Sequence, residues 1–261
     1  MNLSLEGRNA VICGSTQGIG LAIEKELASM GTNCTLVARN QQSLEEALLH
    51  LDTTLLQEHH FLVADFSKPD EVRTAIETHV KNHAVQILIN NTGGPAAGPV
   101  AEAKEEDFLS AFNQHLICNH ILTKAVIPSM KEAGFGRIIN VISTSVKIPL
   151  KNLGVSNTIR GAVASWAKTM SNELAQFGIT VNNVLPGATK TKRLETIITN
   201  NAAKKDIKVE KVEAEMQSEI PAKRFGEAEE IAAVAAFLAS PAASYVNGVS
   251  ITVDGGRTGS I

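Results

Sequence analysis

The chain has 261 residues, 44% of them hydrophobic, and carries a formal charge of −3 from 24 basic and 27 acidic residues. That length supports one large core without requiring two domains, the charge offers no basic tail or patch for nucleic acid, and no apolar run reaches the ~20 residues of a membrane-spanning helix. The opening MNLSLEGRNAV lacks a basic stretch followed by an apolar one, so no secretory signal is expected; Cys13, Cys34 and Cys118 cannot pair completely and lack metal-ligand spacing, so they read as small core residues of a cytoplasmic protein without a metal site.

The first apolar run, AVIC at 10–13, predicts a strand and opens onto GSTQGIG, where Gly14, Gly18 and Gly20 run into a helix whose Ile19, Ile23, Leu27 and Met30 share one face. Gly31 stands where a helix end favours positive φ. Further strands are predicted at CTLVA 34–38, FLVAD 61–65, QILIN 86–90, RIINVIS 137–143, ITVNNVL 179–185 and VSITV 249–253, with helical segments between them. Strand and helix alternate and the strands are almost continuously apolar, which indicates a doubly wound α/β domain: a parallel sheet of seven strands with helices on both faces. Only the polar, charged stretch between Pro186 and Pro221 breaks the rhythm. It has apolar residues enough for an amphipathic cover, and residues 188–220 are read as a substrate lid within a single domain spanning 1–261.

Glycines at the turn after the first strand let the backbone approach a pyrophosphate, while the free amides and dipole of the helix N-terminus attract its charge. The three-residue gap between Gly14 and Gly18 departs from the common G-x-G-x-x-G spacing. With NNTGG at 90–94, Pro186-Gly187 after the sixth strand and the closing YVNGVSITVDGG at 245–256, this turn resembles the short-chain dehydrogenase/reductase family over nearly the whole chain, and the ending resembles its 3-oxoacyl-(acyl-carrier-protein) reductase branch. Cys13 stands where the family's glycine motif has threonine. The resemblance implies a Rossmann-type fold, a dinucleotide held by Gly14, Ser15, Thr16, Gln17, Gly18, Ile19 and Gly20, an adenine flanked by Asp65 and Phe66, and a cofactor lined by Asn91, Thr92, Gly93, Pro186, Gly187, Thr189 and Thr191. It also implies a homotetramer, or a dimer, built on the helix around 157–176 and the C-terminal strand.

At the end of the second strand an acidic residue would bind the adenosine ribose hydroxyls and repel a 2'-phosphate. This chain has Ala38 and then Arg39, so NADP(H) is favoured over NAD(H) through charge-assisted bonds.

In the family a serine polarises the substrate carbonyl, a tyrosine thirteen residues later handles the proton, and a lysine four residues beyond holds the ribose. Counted from Ser143, those two places hold Ser156 and Arg160; the only tyrosine is Tyr245. The family's water-holding asparagine maps onto His115. A tyrosine begins near pKa ~10 and an aliphatic alcohol several units higher, so Ser156 is a poor proton donor. Arg160 keeps a charge and donors for the ribose but cannot shuttle protons. Ser156, a bound water or His115, whose ordinary pKa of ~6.5 suits acid catalysis, are the alternatives for the proton.

Three functions remain open at this stage. The first is an NADP(H)-dependent oxidoreductase interconverting a small-molecule carbonyl and a secondary alcohol. The second is a non-catalytic NADP(H)-binding sensor or structural protein, and the third a dehydration or isomerisation on the same fold.

Overall fold

Seven strands pair side by side, all parallel, in the order β3-β2-β1-β4-β5-β6-β7. The computed structural model describes residues 1–260, and places β1 at Asn9–Cys13, β2 at Asn33–Ala38, β3 at His60–Val63, β4 at Ile87–Asn91, β5 at Gly136–Val141, β6 at Ile179–Pro186 and β7 at Ser250–Val253. Alternate side chains feed two separate cores, as a strand buried on both faces requires. In β1, Ala10 and Ile12 pack with helices α1 (Gly18–Ser29), α2 (Gln41–Leu48) and α9 (Ala228–Ala239). Val11 and Cys13 face α3 (Pro69–His79), α5 (Cys118–Glu132) and α6 (Gly154–Leu174) on the other side.

The expected seven strands and doubly wound arrangement are present, with ends shifted by one or two residues. The one shift that matters is at β5, which stops at Val141, so Ser143 lies beyond the strand rather than ending it. Its extended backbone caps a short 3-10 turn, Thr144–Val146. Met30 closes α1 and Gly31 follows at φ +93°, a conformation glycine takes freely. The three cysteines are free and buried.

Connections from β1 run one way along the sheet and those from β4 the other. A crevice therefore opens between the C-terminal ends of β1 and β4, where open α/β sheets bind ligands. Across the neighbouring strands a buried polar ladder locks the register: Asn90 donates to Asn140 at 2.9 Å, Asn140 to Asn183 at 3.0 Å, and Asn183 to Ser250 at 3.1 Å. Each rung pairs residues already opposite in the sheet, and a one-residue slip would strand these amides.

At the β3 edge, the rings of His79 and His83 stack at 4.5 Å and that of His60 lies 4.8 Å from His83. Burial, followed by the charges of His83 and His60, pushes His79 down to about 4. Its folded value lies below its unfolded one, so the stability it contributes is complete above about pH 6.5 and is lost as pH falls toward 4. Replacing His79 with Leu should spare the protein about 2 kcal/mol of acid destabilisation between pH 7 and 4.5. Urea denaturation of both proteins at the two pH values checks this through the difference of their slopes; equal slopes would refute it.

Candidate functional site

The turn after β1 is shaped by close backbone approach. Gly14 and Gly18 take φ values of +60° and +55°. A Cβ on Gly20 would lie 2.1 Å from the Gly14 carbonyl oxygen. Asn91, at the end of β4, donates through Nδ2 to the carbonyl oxygens of Cys13 and Gly14, both at 3.2 Å, and so ties the two central strand ends together. Helix α1 starts at Gly18, and its cap residue Gln17 makes no side-chain bond to the first turn. The opening amides thus point into the crevice without an internal partner. Ser15 is buried behind the turn, while Thr16, Gln17 and Ile19 form its rim.

Arg39 is exposed immediately beyond the end of β2. Across from it, Asp65 accepts from the Ser67 amide at 2.9 Å. That bond chiefly holds the Asp65 carboxyl below its ordinary pKa, with Arg39 a lesser cause in the same direction. Phe66 is half-buried beside it.

The residues read from the sequence as altered catalytic positions lie near the ends of β4 and β5. Ser143 Oγ accepts from the Ser145 amide at 3.1 Å, which leaves its own proton free to donate. Ser156 lies in the first part of α6, only 8% exposed. One turn on, Arg160 is 7% exposed and donates to the carbonyl oxygens of Val141 at 3.3 Å and Thr92 at 3.2 Å. His115 sits in a π-helical turn, Asn113–Ile117, between α4 (Glu105–Phe112) and α5. Such insertions recur at functional sites. It is 1% exposed, its Nδ1 lies 2.5 Å from the Thr92 hydroxyl, and its Nε2 has no partner. Burial first, then Arg160 and Arg193, push its pKa down to about 3. The imidazole is therefore neutral at pH 7, whereas sequence reasoning started from its ordinary value. Asn113, two residues away, is exposed.

The loop at 92–99 is pinned to the start of α6. Gly98 N–H donates to Asn152 at 2.8 Å and Gly154 N–H to Gly98 at 3.2 Å. Beside it lies a cleft of about 370 Å³ bounded by Pro95–Pro99, α4 and Val155.

Residues 188–220 hold α7 (Lys192–Lys205) and α8 (Val209–Ser218), and the segment has no strand. Its two ends are clamped where Gly226 N–H donates to Ala188 and Lys190 N–H to Gly226, both at 2.9 Å. Leu194, Ile198, Val212, Ile220 and Phe225 give it a small core of its own. Thr191 caps α7, and its Cγ2 would lie 3.1 Å from a Cβ on Gly18, so the segment's root rests on the glycine turn. Thr189 is buried beside Gly187, which follows Pro186 at the end of β6.

Comparison with known proteins matches residues 14–258 to the family model described as enoyl-(acyl carrier protein) reductase. The NADPH-dependent reductase BacG of Bacillus subtilis is 33% identical over 97% of this chain and 99% of its own length. The 3-oxoacyl-[acyl-carrier-protein] reductase FabG of Haemophilus influenzae is 32% identical over 97% of this chain and 98% of its own. The chain belongs to the short-chain dehydrogenase/reductase family. Among solved structures, L-sorbose reductase of Gluconobacter frateurii, complexed with NADPH and L-sorbose, superposes with a TM-score of 0.94 at 28% identity, over the full length of both chains.

Within this short-chain dehydrogenase/reductase, one group that sequence reasoning passed over rests on the 92–99 loop. Arg193, on the first turn of α7, donates to Gly94 O at 2.8 Å and Pro95 O at 3.3 Å. In the sequence it sits inside TKTKR, which reads as a solvated charged run. Only its position after Thr191 hinted that it faces the crevice.

Proposed function

We propose that this family member is an NADP(H)-dependent oxidoreductase that interconverts a small-molecule carbonyl and a secondary alcohol, with a divergent proton-donating site. The observation that carries this reading is the glycine cradle, where a Cβ at Gly20 has no room and unpaired helix amides face the crevice. That geometry fits a pyrophosphate, and Arg39 at the end of β2 fits a 2'-phosphate. The NADPH-dependent relatives support the same cofactor.

Bound there, the cofactor supplies the hydride. Ser143 donates its free proton as a hydrogen bond to the substrate oxygen. Arg160 spends two donors on strand-end carbonyls and has three left for ribose hydroxyls or substrate. His115, kept neutral, acts as a hydrogen-bond partner through Nε2 rather than as an imidazolium acid. The proton then comes from a water held by Ser156 and His115. The 188–220 segment closes over the substrate from its clamped root. Assembly as a homotetramer through α6 and β7 completes the proposal.

NADPH titration by fluorescence, followed by NADPH consumption against a panel of carbonyl compounds, tests this reading. Arg39→Ala should weaken NADPH binding by about 10-fold to 100-fold and leave NADH binding almost unchanged, as loss of a charge-assisted bond predicts. Ser143→Ala should lower kcat by ~10²-fold to 10³-fold with NADPH affinity held within about twofold. The exchange of tyrosine and lysine for Ser156 and Arg160 favours one alternative, a non-catalytic NADP(H) sensor. Tight NADPH binding with no turnover of any carbonyl would select it.

A further inference from the structure

Two guanidinium groups lie on the same four-residue loop, and no acid answers them. Arg160 reaches Thr92 O from α6, and Arg193 reaches Gly94 O and Pro95 O from α7. Among the described residues neither forms a salt bridge, whereas Arg224, Arg257 and Arg73 are all paired with carboxylates. A Cβ at Gly94 would lie 2.7 Å from Arg193 Nη2, so a larger residue there would shift the guanidinium from its present place on the loop. Beneath the loop, His115 holds the Thr92 hydroxyl and keeps its buried Nε2 without a partner.

A buried arginine without an acid can be purely structural, and this protein contains one. Arg137 donates to the carbonyl oxygens of Ser240, Gly136 and Gly178, and lies over the Phe135 ring at 4.0 Å. Arg160, which is buried, and Arg193, which is exposed, differ from it in two ways. They are close enough that each charge bears on His115 and that of Arg193 bears on Arg160. Arg160 also stands one turn after Ser156 on α6 and is hydrogen-bonded to Val141, two residues before Ser143. Two guanidinium groups that repel one another beside a buried imidazole with a free Nε2 form a receptor for an anion with planar, paired oxygens.

We infer that the substrate is an acid, its carboxylate seated between Arg160 and Arg193 beside His115 while Ser143 holds the nearby carbonyl or hydroxyl oxygen. The substrate class is thus an oxo acid and its hydroxy acid, a reading that rests on the oxidoreductase function proposed above. The carboxylate supplies a counter-charge that offsets one of the two positive charges, so the free acid and its ester differ sharply as ligands.

The test has a binding arm and a kinetic arm. Malonate, an unreactive dicarboxylate, should raise the melting temperature of the wild type both with and without NADP+. The rise should disappear in Arg193→Ala, recover partly in Arg193→Lys, and persist in Lys192→Ala, which removes a neighbouring exposed charge. Inorganic phosphate in parallel distinguishes the other anion class; a response to phosphate alone would overturn the assignment. In the kinetic arm, small oxo acids should turn over with KM at least about tenfold below that of their methyl esters, and Arg193→Ala should erase that preference by raising KM for the acids. Equal acid and ester kinetics in the wild type would overturn the inference. So would a collapse of NADPH affinity in Arg193→Ala, since the arginine would then serve the cofactor's phosphates while the oxidoreductase reading stood. Absence of NADPH binding in the wild type would instead remove that reading, and the malonate response without NADP+ would still decide the anion site.

Discussion

Gly20→Ala is expected to abolish useful NADPH binding, with the dissociation constant rising by ~100-fold or more. The new Cβ would sit 2.1 Å from the Gly14 carbonyl oxygen and 2.8 Å from Asn91 Nδ2. The first of these partners is backbone and cannot rotate away, so α1 must retreat from the turn by about 1 Å before van der Waals contact is restored. That retreat moves the amides at positions 18–20, the same groups offered to the pyrophosphate, and pulls on the bonds by which Asn91 holds Cys13 and Gly14. Overpacking also costs stability, about 1–3 kcal/mol. Gly161→Ala in α6 is the matched control, because a Cβ there meets nothing within 4 Å and replacing a mid-helix glycine stabilises by about 0.5–1 kcal/mol. Calorimetric NADPH titration and thermal melts of both variants separate the two effects. Unchanged NADPH affinity in Gly20→Ala would show that the phosphates bind elsewhere.

The sheet was legible because each strand is a short Val- and Ile-rich run buried on both faces, and the glycine turn because its spacing carries a backbone requirement that φ at Gly14 and Gly18 bears out. Ser143, Ser156 and Arg160 were singled out by counting along the chain, which depends on register alone. What could not be read was charge in three dimensions. His115 was visible as an odd residue, but its neutrality follows from burial and from two arginines on other elements. Arg193 comes from the root of a segment whose composition looks solvated, and its role depends on a loop ninety-odd residues earlier in the chain. Glu24 lay hidden for a similar reason: the apolar period of α1 runs through Ile19, Ile23 and Leu27, and nothing in that pattern says that the next residue is also inside.

These unread charges meet Arg160, which with Ser156 falls where counting from Ser143 puts the family's lysine and tyrosine. A lysine is a compact cation that can release its proton; Arg160 stays charged and spreads that charge over a fork already anchored to Val141 and Thr92. With the fork held, the positive field at the loop is permanent, and it adds to the burial that keeps the nearby His115 neutral. Where the family uses a cation to draw a proton off a phenol, the inferred site would use fixed cations to hold an anion and leave the proton to smaller groups.

Glu24→Leu is expected to stabilise the protein, and to do so most at alkaline pH. Glu24 is fully buried in α1, and neither carboxyl oxygen has a hydrogen-bond partner. Burial raises its pKa to about 9, while Ser15 and Lys25 pull the other way without offsetting it. In the unfolded chain the same group ionises near ~4.3, so between those values the folded state holds the extra proton. Stability from this group is therefore complete below about pH 4.3 and is lost as pH rises toward 9, by about 1.4 kcal/mol per pH unit. An apolar side chain of similar size removes that dependence, and about 2–4 kcal/mol should be recovered at pH 8, with little change at pH 5. Urea denaturation at pH 7, 8 and 9, above the range in which His79 titrates, isolates the effect; parallel profiles for the two proteins would refute it. NADPH affinity of the same variant then tells why the carboxyl is there. Weaker binding in a more stable protein would mean that Glu24 positions Ser15 behind the phosphate turn, whereas unchanged binding would mean that the buried acid only weakens the fold.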